Sequence, residues 1–576
     1  MSRFPSARSC GVAIVVPCLA LAGLAAPAAA QLQFVDQTAT RFPQPGPLEY
    51  TNQVAIEDVD ADGDLDVVWA NGGGYSSVLP PQVIRFYMNS GLGVFTDETV
   101  ARTGGTTAVA RDVEFGDVDG DGDADMVVAT DFLTQPRLFI NTGSGFFADQ
   151  TAARLPAIPL GSPHVTLGDV DNDGDLDLCF AHGSPNRFGT GPTQLWMNNG
   201  AGVFTDQSAA RLPASPCAQP MDASFADVDG DLDLDVLIGS RAGSGSKLFI
   251  NNGAGTFSNA SPTLPPTSTC YSFDFGDYDN DNDLDLLGVN TLPGSSRDTI
   301  WRNNGAGLYT DVTATALPVA SNPAVDDNDS KFLDADNDGD LDFIIASLGS
   351  TERYCRNNGD GTFTLIAGAI TAVQDSSLDN EVGDLDGDGD LDMVTAQGES
   401  GSFLNRIYIN TTGPADTRAP KIVQTEQAPP TTSTTGPYVV RAVIRDDMTG
   451  DRNFFASALA LRYTVSGVPG VQSAPLRWAG HDVYRGSIPG QACGSTIEYW
   501  VDATDKAGNN AQGPHRTLTI SPYADCNNSG TLTVADFGCF QGKYVLGDLY
   551  ADCNNSGTLT VADFGCFQGK YVLGCP

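Results

Sequence analysis

From residue 31 to about residue 415 the chain repeats one apolar–polar rhythm seven times. In the third copy a short alternating run, Val165-Thr166-Leu167-Gly168, enters a polar stretch, and a second run, Leu176-Asp177-Leu178-Cys179-Phe180, leaves it. A third run carries an aromatic two residues before an asparagine (Trp196-Met197-Asn198), then a turn, Asn199-Gly200-Ala201-Gly202, and a last run, Val203-Phe204-Thr205-Asp206. Alternation, β-branched residues and Asn-Gly turns predict four short antiparallel strands per copy. The polar stretches start 50 to 59 residues apart, the length of a four-stranded propeller blade. The seventh copy lacks its fourth strand, because after Asn410 the chain reads Thr411-Thr412-Gly413-Pro414. Phe34 to Arg41 (FVDQTATR) matches the pattern of Phe147 to Arg154 (FADQTAAR), so the N-terminal strand is predicted to complete blade seven and close the ring. The expected fold class is mainly β, led by a seven-bladed propeller.

Each polar stretch is an aspartate ladder, D-x-D-x-D-G-x-x-D in outline with a further aspartate at position seven. The first holds Asp58, Asp60, Asp62, Asp64 and Asp66; the second Asp117, Asp119, Asp121, Asp123 and Asp125; the third Asp169, Asp171, Asp173, Asp175 and Asp177. The fourth holds Asp227, Asp229, Asp231, Asp233 and Asp235, and the fifth Asp277, Asp279, Asp281, Asp283 and Asp285. The sixth holds Asp334, Asp336, Asp338, Asp340 and Asp342, and the seventh Asp384, Asp386, Asp388, Asp390 and Asp392. So many carboxylates in nine residues repel one another unless a hard cation sits among them. Calcium takes six to eight oxygens in a flexible shell, and the glycine permits the sharp turn around it. About seven calcium ions are expected in this domain. Leu232 and Asn282 replace that glycine in ladders four and five. Leucine in a left-handed turn costs about 1–2 kcal/mol, which marks the fourth site as weak, distorted or empty.

The ladders, with Phe115-Gly116-Asp117 and the Asn-Asn-Gly-Ala-Gly turns, resemble VCBS and FG-GAP repeats, best known from the integrin α-subunit propeller. The resemblance implies that each loop joins the first and second strands of a blade. It also implies that the side chains at positions one, three, five and nine and the carbonyl at position seven hold the ion. The aromatic position before each asparagine (Tyr87, Phe139, Trp196, Phe249, Trp301, Tyr408, with Cys355 in blade six) is read as packing between blades and not as a sugar platform.

Composition narrows the class. The 576 residues carry a net charge of −42 with 41% hydrophobic residues, so the chain is an acidic folded protein and not a disordered tail. Nucleic acid and anionic membranes are poor partners for such a surface. Residues 1–30 read as a secretory signal peptide, with Arg3 and Arg8, an apolar run from Val12 to Leu24 and Ala28-Ala29-Ala30 before Gln31. No other stretch is apolar enough to span a bilayer. The expected location is therefore secreted, extracellular or associated with the cell surface. Residues 416–521 alternate and end in Ile497 to Asn509 (IEYWVDATDKAGN), which resembles the late strands of fibronectin type III or immunoglobulin-like sandwiches, modules that commonly serve as spacers.

Residues 522–576 contain a perfect duplication, YADCNNSGTLTVADFGCFQGKYVLG, with a period of 27 residues. Asp525, Asn527, Ser529, Thr531, Thr533 and Asp536 fall at positions 1, 3, 5, 7, 9 and 12 of an EF-hand-like loop, with Gly530 at the turn. Asp552, Asn554, Ser556, Thr558, Thr560 and Asp563 repeat the set, and up to two further calcium ions are expected here. Loop, helix, loop, helix with cysteines and a GC ending resembles a dockerin. The resemblance implies a cohesin-like scaffold protein as partner, and a disulfide such as Cys526–Cys539 that preorganises each loop.

Only four histidines exist, and no H-E-x-x-H pair, nucleophile elbow, Walker loop or dinucleotide fingerprint is found. Polar residues five and three positions before each ladder, among them Asp112, Glu114, His164, Asp222, Asp329, Lys331, Asp379 and Glu381, are expected around the mouth of a central channel. They read as a wet polar lining or as acid–base groups acting on a sugar. Long loops between second and third strands offer Tyr75, His182, Arg187, Phe188 and Arg297 as ligand contacts. The reading is an exported calcium-binding repeat protein that binds or adheres through its propeller to an extracellular glycan or protein. The alternative is a dockerin-displayed polysaccharide lyase or glycoside hydrolase using the channel-mouth carboxylates.

Overall fold

A computed structural model describes residues 32–574 except 45, 75–76, 243–244, 267–268, 291–295, 400, 447–458, 528, 530 and 555. The expected signal peptide, Tyr75 and Gly530 lie outside the described residues. Seven four-stranded antiparallel sheets follow one another around the propeller. In blade three the strands are Gly161–Gly168, Asp177–Gly183, Gln194–Met197 and Thr205–Asp206. Blade seven is built from both ends of the domain. Ser377–Gly383, Asp392–Gln397 and Arg406–Asn410 are completed by Phe34–Asp36, with Phe34 opposite Asn410 and Asp36 opposite Tyr408. Closure removes the two exposed edges that an open ring would present.

Seven apolar clusters fill the spaces between neighbouring blades, and each contains one residue of the aromatic position. Tyr87, Phe139, Trp196, Phe249, Trp301, Cys355 and Tyr408 sit in seven different clusters, all buried. The six rings and Cys355 are core, each ring worth about 1.5–3 kcal/mol of burial, and no ring faces solvent as a stacking platform. The asparagine two residues on joins ladders. Asn198 Nδ2 donates to the carbonyl of Leu176 in its own ladder at 3.1 Å and to that of Val118 in the preceding one at 2.7 Å. Five other blades repeat this pair of bonds through Asn89, Asn141, Asn251, Asn303 and Asn357.

Beyond the propeller, eight strands from Lys421–Thr425 to Arg516–Thr519 are hydrogen-bonded into one continuous array. The thirteen-residue strand Val468–Gly480 pairs first with Ala460–Val465 and then, from Leu476, with Val483–Ile488. A single cluster, including Val440, Leu461, Tyr484, Ile497 and Tyr499, is buried within it. The C-terminal region has two helices, Val534–Leu546 and Val561–Leu573, each started by a capping box, Thr533 with Asp536 and Thr560 with Asp563. Disulfides join Cys526 to Cys539 and Cys553 to Cys566. Phe540 stacks on Phe567 at 4.1 Å, and Tyr523 on Tyr550 at 4.9 Å, so the duplicated sequence packs against itself. Among the described residues no helix is long and apolar enough to cross a membrane.

Candidate functional site

Each ladder is the loop between the first and second strands of its blade, so the propeller sets all seven on one face. At positions one and five all seven share one hydrogen-bond scheme. The position-one carboxylate accepts the position-six N–H through Oδ2, as in Gly174 to Asp169 at 3.0 Å. At position five, Oδ1 accepts the position-seven N–H, as in Asp175 to Asp173 at 3.0 Å. The position-nine carboxylate is buried. Asp177 accepts from Asn198 N at 2.8 Å and from Val170 N at 3.3 Å, tying the loop to the third strand. Position-seven carboxylates lean away, against the glycine of the turn before strand four. A Cβ on Gly200 would lie 2.6 Å from Asp175 Oδ2.

Position three is different. One oxygen, Oδ1, of Asp60, Asp119, Asp171, Asp229, Asp279, Asp336 and Asp386 is buried and accepts no hydrogen bond. Oδ1 of Asp169 and of Asp277, at position one, is in the same state. A buried carboxylate oxygen without a donor is costly, and seven equivalent ones at one position describe a recess built for something other than hydrogen. Carboxylates of positions one, three and five or nine approach within 4.8 Å of one another, as in Asp58, Asp60 and Asp62 or in Asp227, Asp229 and Asp235. The donors are all hard oxygens, which suit calcium, magnesium or manganese, and the density of carboxylates suits calcium. The residues fit the ion. Burial, helped by neighbouring ladder carboxylates, pushes Asp66 up to about 8 and Asp235 and Asp285 up to about 9, the behaviour of acids that lack a counter-charge.

Ladder four does not depart in shape. Leu232 takes φ +72°, Asn282 takes φ +77°, and both donate to position one as the glycines do, at 2.8 and 3.1 Å. Of the weak, distorted or empty fourth site expected, the structure bears on distortion alone: the backbone turn is kept, with leucine at positive φ. A feature missed in sequence is an arginine four residues after a Gln or Glu. Arg41, Arg102, Arg154 and Arg211 hold the outer oxygen of Asp386, Asp60, Asp119 and Asp171 at 2.9–3.1 Å. Arg102, Arg154 and Arg211 also donate to a turn carbonyl of the next blade at 2.6–2.8 Å. The repeated [QE]-x-x-x-R was the available signal.

At the other end of the inner strands the polar residues form a girdle. Asp112 accepts Val165 N at 2.7 Å, Asp222 accepts Phe273 N at 3.0 Å, and Asp379 accepts Val54 N at 2.7 Å. Gln53 accepts Val113 N at 3.2 Å, Asp329 accepts Asn380 N at 3.3 Å, and His164 Nδ1 lies 3.0 Å from the Ala223 carbonyl. Each bond links one blade to the next. The channel mouth is a cavity of about 120 Å³ lined by His164, Asp222, Asp329 and Asp379, with Arg111, Arg187 and Tyr271. Burial disfavours charge on His164, but Asp112 and Asp222, 3.7 and 3.6 Å away, outweigh it and raise the imidazole to about 9. Lys331 pairs with Glu381 at 2.5 Å.

The ligand-loop candidates separate. Arg187 is buried at the cavity, 3.0 Å from Asp131, with its guanidinium 4.7 Å from the Phe188 ring. His182 turns inward, accepts Gly161 N at 3.2 Å, and is lowered by burial. Arg297 donates to the Asn322 carbonyl. In the C-terminal loops both oxygens of the position-twelve carboxylate are used: Asp536 accepts Asn527 N at 3.3 Å and Thr533 N at 2.7 Å.

No curated protein matches the chain. Among solved structures, fructofuranosidase from Schwanniomyces occidentalis complexed with fructose overlaps 85% of this chain and 95% of its own at 8% identity and a TM-score of 0.26. The same enzyme's complex with fructosyl-erythritol overlaps 85% and 94%, also at 8% identity and 0.26. Overlap that loose carries no argument about fold or activity. Residues 58–128, 117–180, 227–288 and 334–395 match the FG-GAP-like repeat. These segments coincide with ladders and blades already described, and the seven-bladed propeller is therefore built of FG-GAP-like repeats.

Proposed function

We propose that the protein is an exported calcium-binding repeat protein whose propeller is a binding or adhesion module, held at a cell surface or extracellular scaffold through its C-terminal doublet. The carrying observation is the row of seven buried, unpartnered position-three oxygens, which supports the reading of one cation per ladder. Positions one, three, five and nine with the position-seven carbonyl would hold them, and bound calcium would fix the loops that space the blades. The strands of residues 421–519 are read as a sandwich of the fibronectin or immunoglobulin kind. Docking through a dockerin-like module is supported by aliphatic side chains left outside its small core: Val534, Leu546, Val561 and Leu573 are 70–86% exposed. A cohesin-like protein is the partner proposed.

The glycan-degrading alternative draws on His164 and its flanking acids. Asp112, Asp222 and Asp379, however, each spend an oxygen on an inter-blade N–H, which favours a structural lining. Screening the full chain against glycan arrays and polysaccharides, in calcium and in chelator, tests both readings. Calcium-dependent binding without product supports the module. New reducing or unsaturated ends, lost in Asp222→Asn, would overturn it in favour of an enzyme.

A further inference from the structure

Residues 421–519 lie against the ladder face, and their basic side chains address the ladders one by one. Arg477 Nη1 is 3.1 Å from Asp117 Oδ2, Arg485 Nε is 3.7 Å from Asp169 Oδ2, and Lys421 Nζ and Arg445 Nη1 are 3.2 and 3.4 Å from Asp277 Oδ2. All three acceptors are position-one aspartates, and each basic group uses the oxygen that also takes the position-six N–H. The backbone joins in, Asp169 N donating to the Ala479 carbonyl at 2.7 Å. At ladder four the contact is apolar as well as ionic. Leu232, Leu234 and Phe225 share one buried cluster with Val443, Ala479 and Val483, while Arg441 donates to the Leu232 carbonyl at 2.8 Å and bonds Asp233. This accounts for the leucine: its strained backbone, about 1–2 kcal/mol, is offset by burying an aliphatic side chain, about 1.5–3 kcal/mol.

Asp169 and Asp277 face two ways. Oδ1 of each is buried in its ladder with no hydrogen-bond donor, and Oδ2 of each meets a cation of the neighbouring region. An ion drawing Oδ1 inward also aims Oδ2 outward. Without it, five mutually repelling carboxylates share the loop, and the position-six N–H alone is left within the ladder to hold that orientation.

We infer that residues 421–519 form a calcium-dependent cap on the propeller, latched through the metal-binding aspartates of ladders two, three and five and anchored on Leu232. The inference rests on the calcium reading above. It assigns the ladder face to an internal partner and leaves the channel mouth as the face open to an external ligand.

The test uses the full chain below its calcium-free melting transition, with bound calcium counted by elemental analysis in every sample. Limited trypsin digestion follows cleavage after Arg418, in the linker, and small-angle scattering follows the overall dimensions. Chelation is expected to speed that cleavage about tenfold or more and to enlarge the particle, since proteolysis tracks the open population. The double variant Arg445→Ala/Arg485→Ala is expected to open in calcium while keeping the wild-type ion count. Linker cleavage indifferent to calcium, with ions bound, would overturn the cap alone. A chain that takes up no calcium would overturn both it and the reading beneath it. Cleavage spread evenly through the blades on chelation would also sink it, because the ions would then hold the propeller and not the latch.

Discussion

The propeller ladders and the C-terminal loops are both acidic turns of the sort that wrap cations, yet they solve the problem of their own charge in opposite ways. A ladder crowds five aspartates into nine residues and leaves buried oxygens without donors, which is the observation behind the proposed cation. A C-terminal loop has two carboxylates. Asp536 and Asp563 are buried, each giving one oxygen to the N-cap N–H of its helix and the other to a loop N–H, and a disulfide ties each loop to its helix. On the calcium reading proposed above, a loop that satisfies its acids with backbone N–H groups depends less on metal than one that leaves them unpaired.

Calcium removal should break the comparison open most widely. Each site filled at 100 times its dissociation constant adds about 2.7 kcal/mol, so chelation should lower the propeller transition by more than about 10 °C. The C-terminal helices should keep their far-ultraviolet signal in the same calorimetry and circular dichroism series. Equal losses in both regions would refute the contrast. Next in size, Cys526→Ser/Cys539→Ser should cost the C-terminal module about 2–4 kcal/mol, read by denaturant titration, and leave the propeller transition in place.

Proton linkage sharpens the same point. In calcium-free protein Asp66, Asp235 and Asp285 titrate at about 8, 9 and 9 when folded, against about 3.9 when unfolded. The folded state then binds more protons, so calcium-free stability should fall as pH rises from about 4 to about 9. Saturating calcium should flatten or reverse that slope. Removing a single position-three acid by Asp171→Asn should lower the bound calcium by one ion. Smallest of all, His164 should remain charged at pH 7.5 while His182 is neutral, as imidazole nitrogen shifts would report. The share of stability from His164 is present below about 6.5 and lost as pH climbs through about 9.

Much of the architecture was readable because repetition multiplies weak signals. One FVDQTATR proves little, but beside FADQTAAR and a seventh blade lacking a strand it foretold that Phe34 pairs with Asn410. Of the residues expected around the channel mouth, His164, Asp222, Asp329 and Asp379 line the cavity, whereas Asp112, Glu114, Lys331 and Glu381 do not. Their bonds were not legible, because whether Asp112 serves a substrate or Val165 N depends on how the neighbouring blade is rotated. The arginines after four of the fourth strands went unread for the same reason: Arg211 and Asp171 are 40 residues apart and meet only across a folded blade.

By itself the sequence determined the local chemistry: period, strand alternation, loop acids and the duplicated C-terminal motif, all of which act over a few residues. Only the tertiary structure decided which oxygens remain unpaired, what Leu232 is for, and that residues 421–519 lie on the ladders and do not hang from a linker. Those outcomes depend on burial, and burial is a property of surfaces brought together from distant parts of the chain.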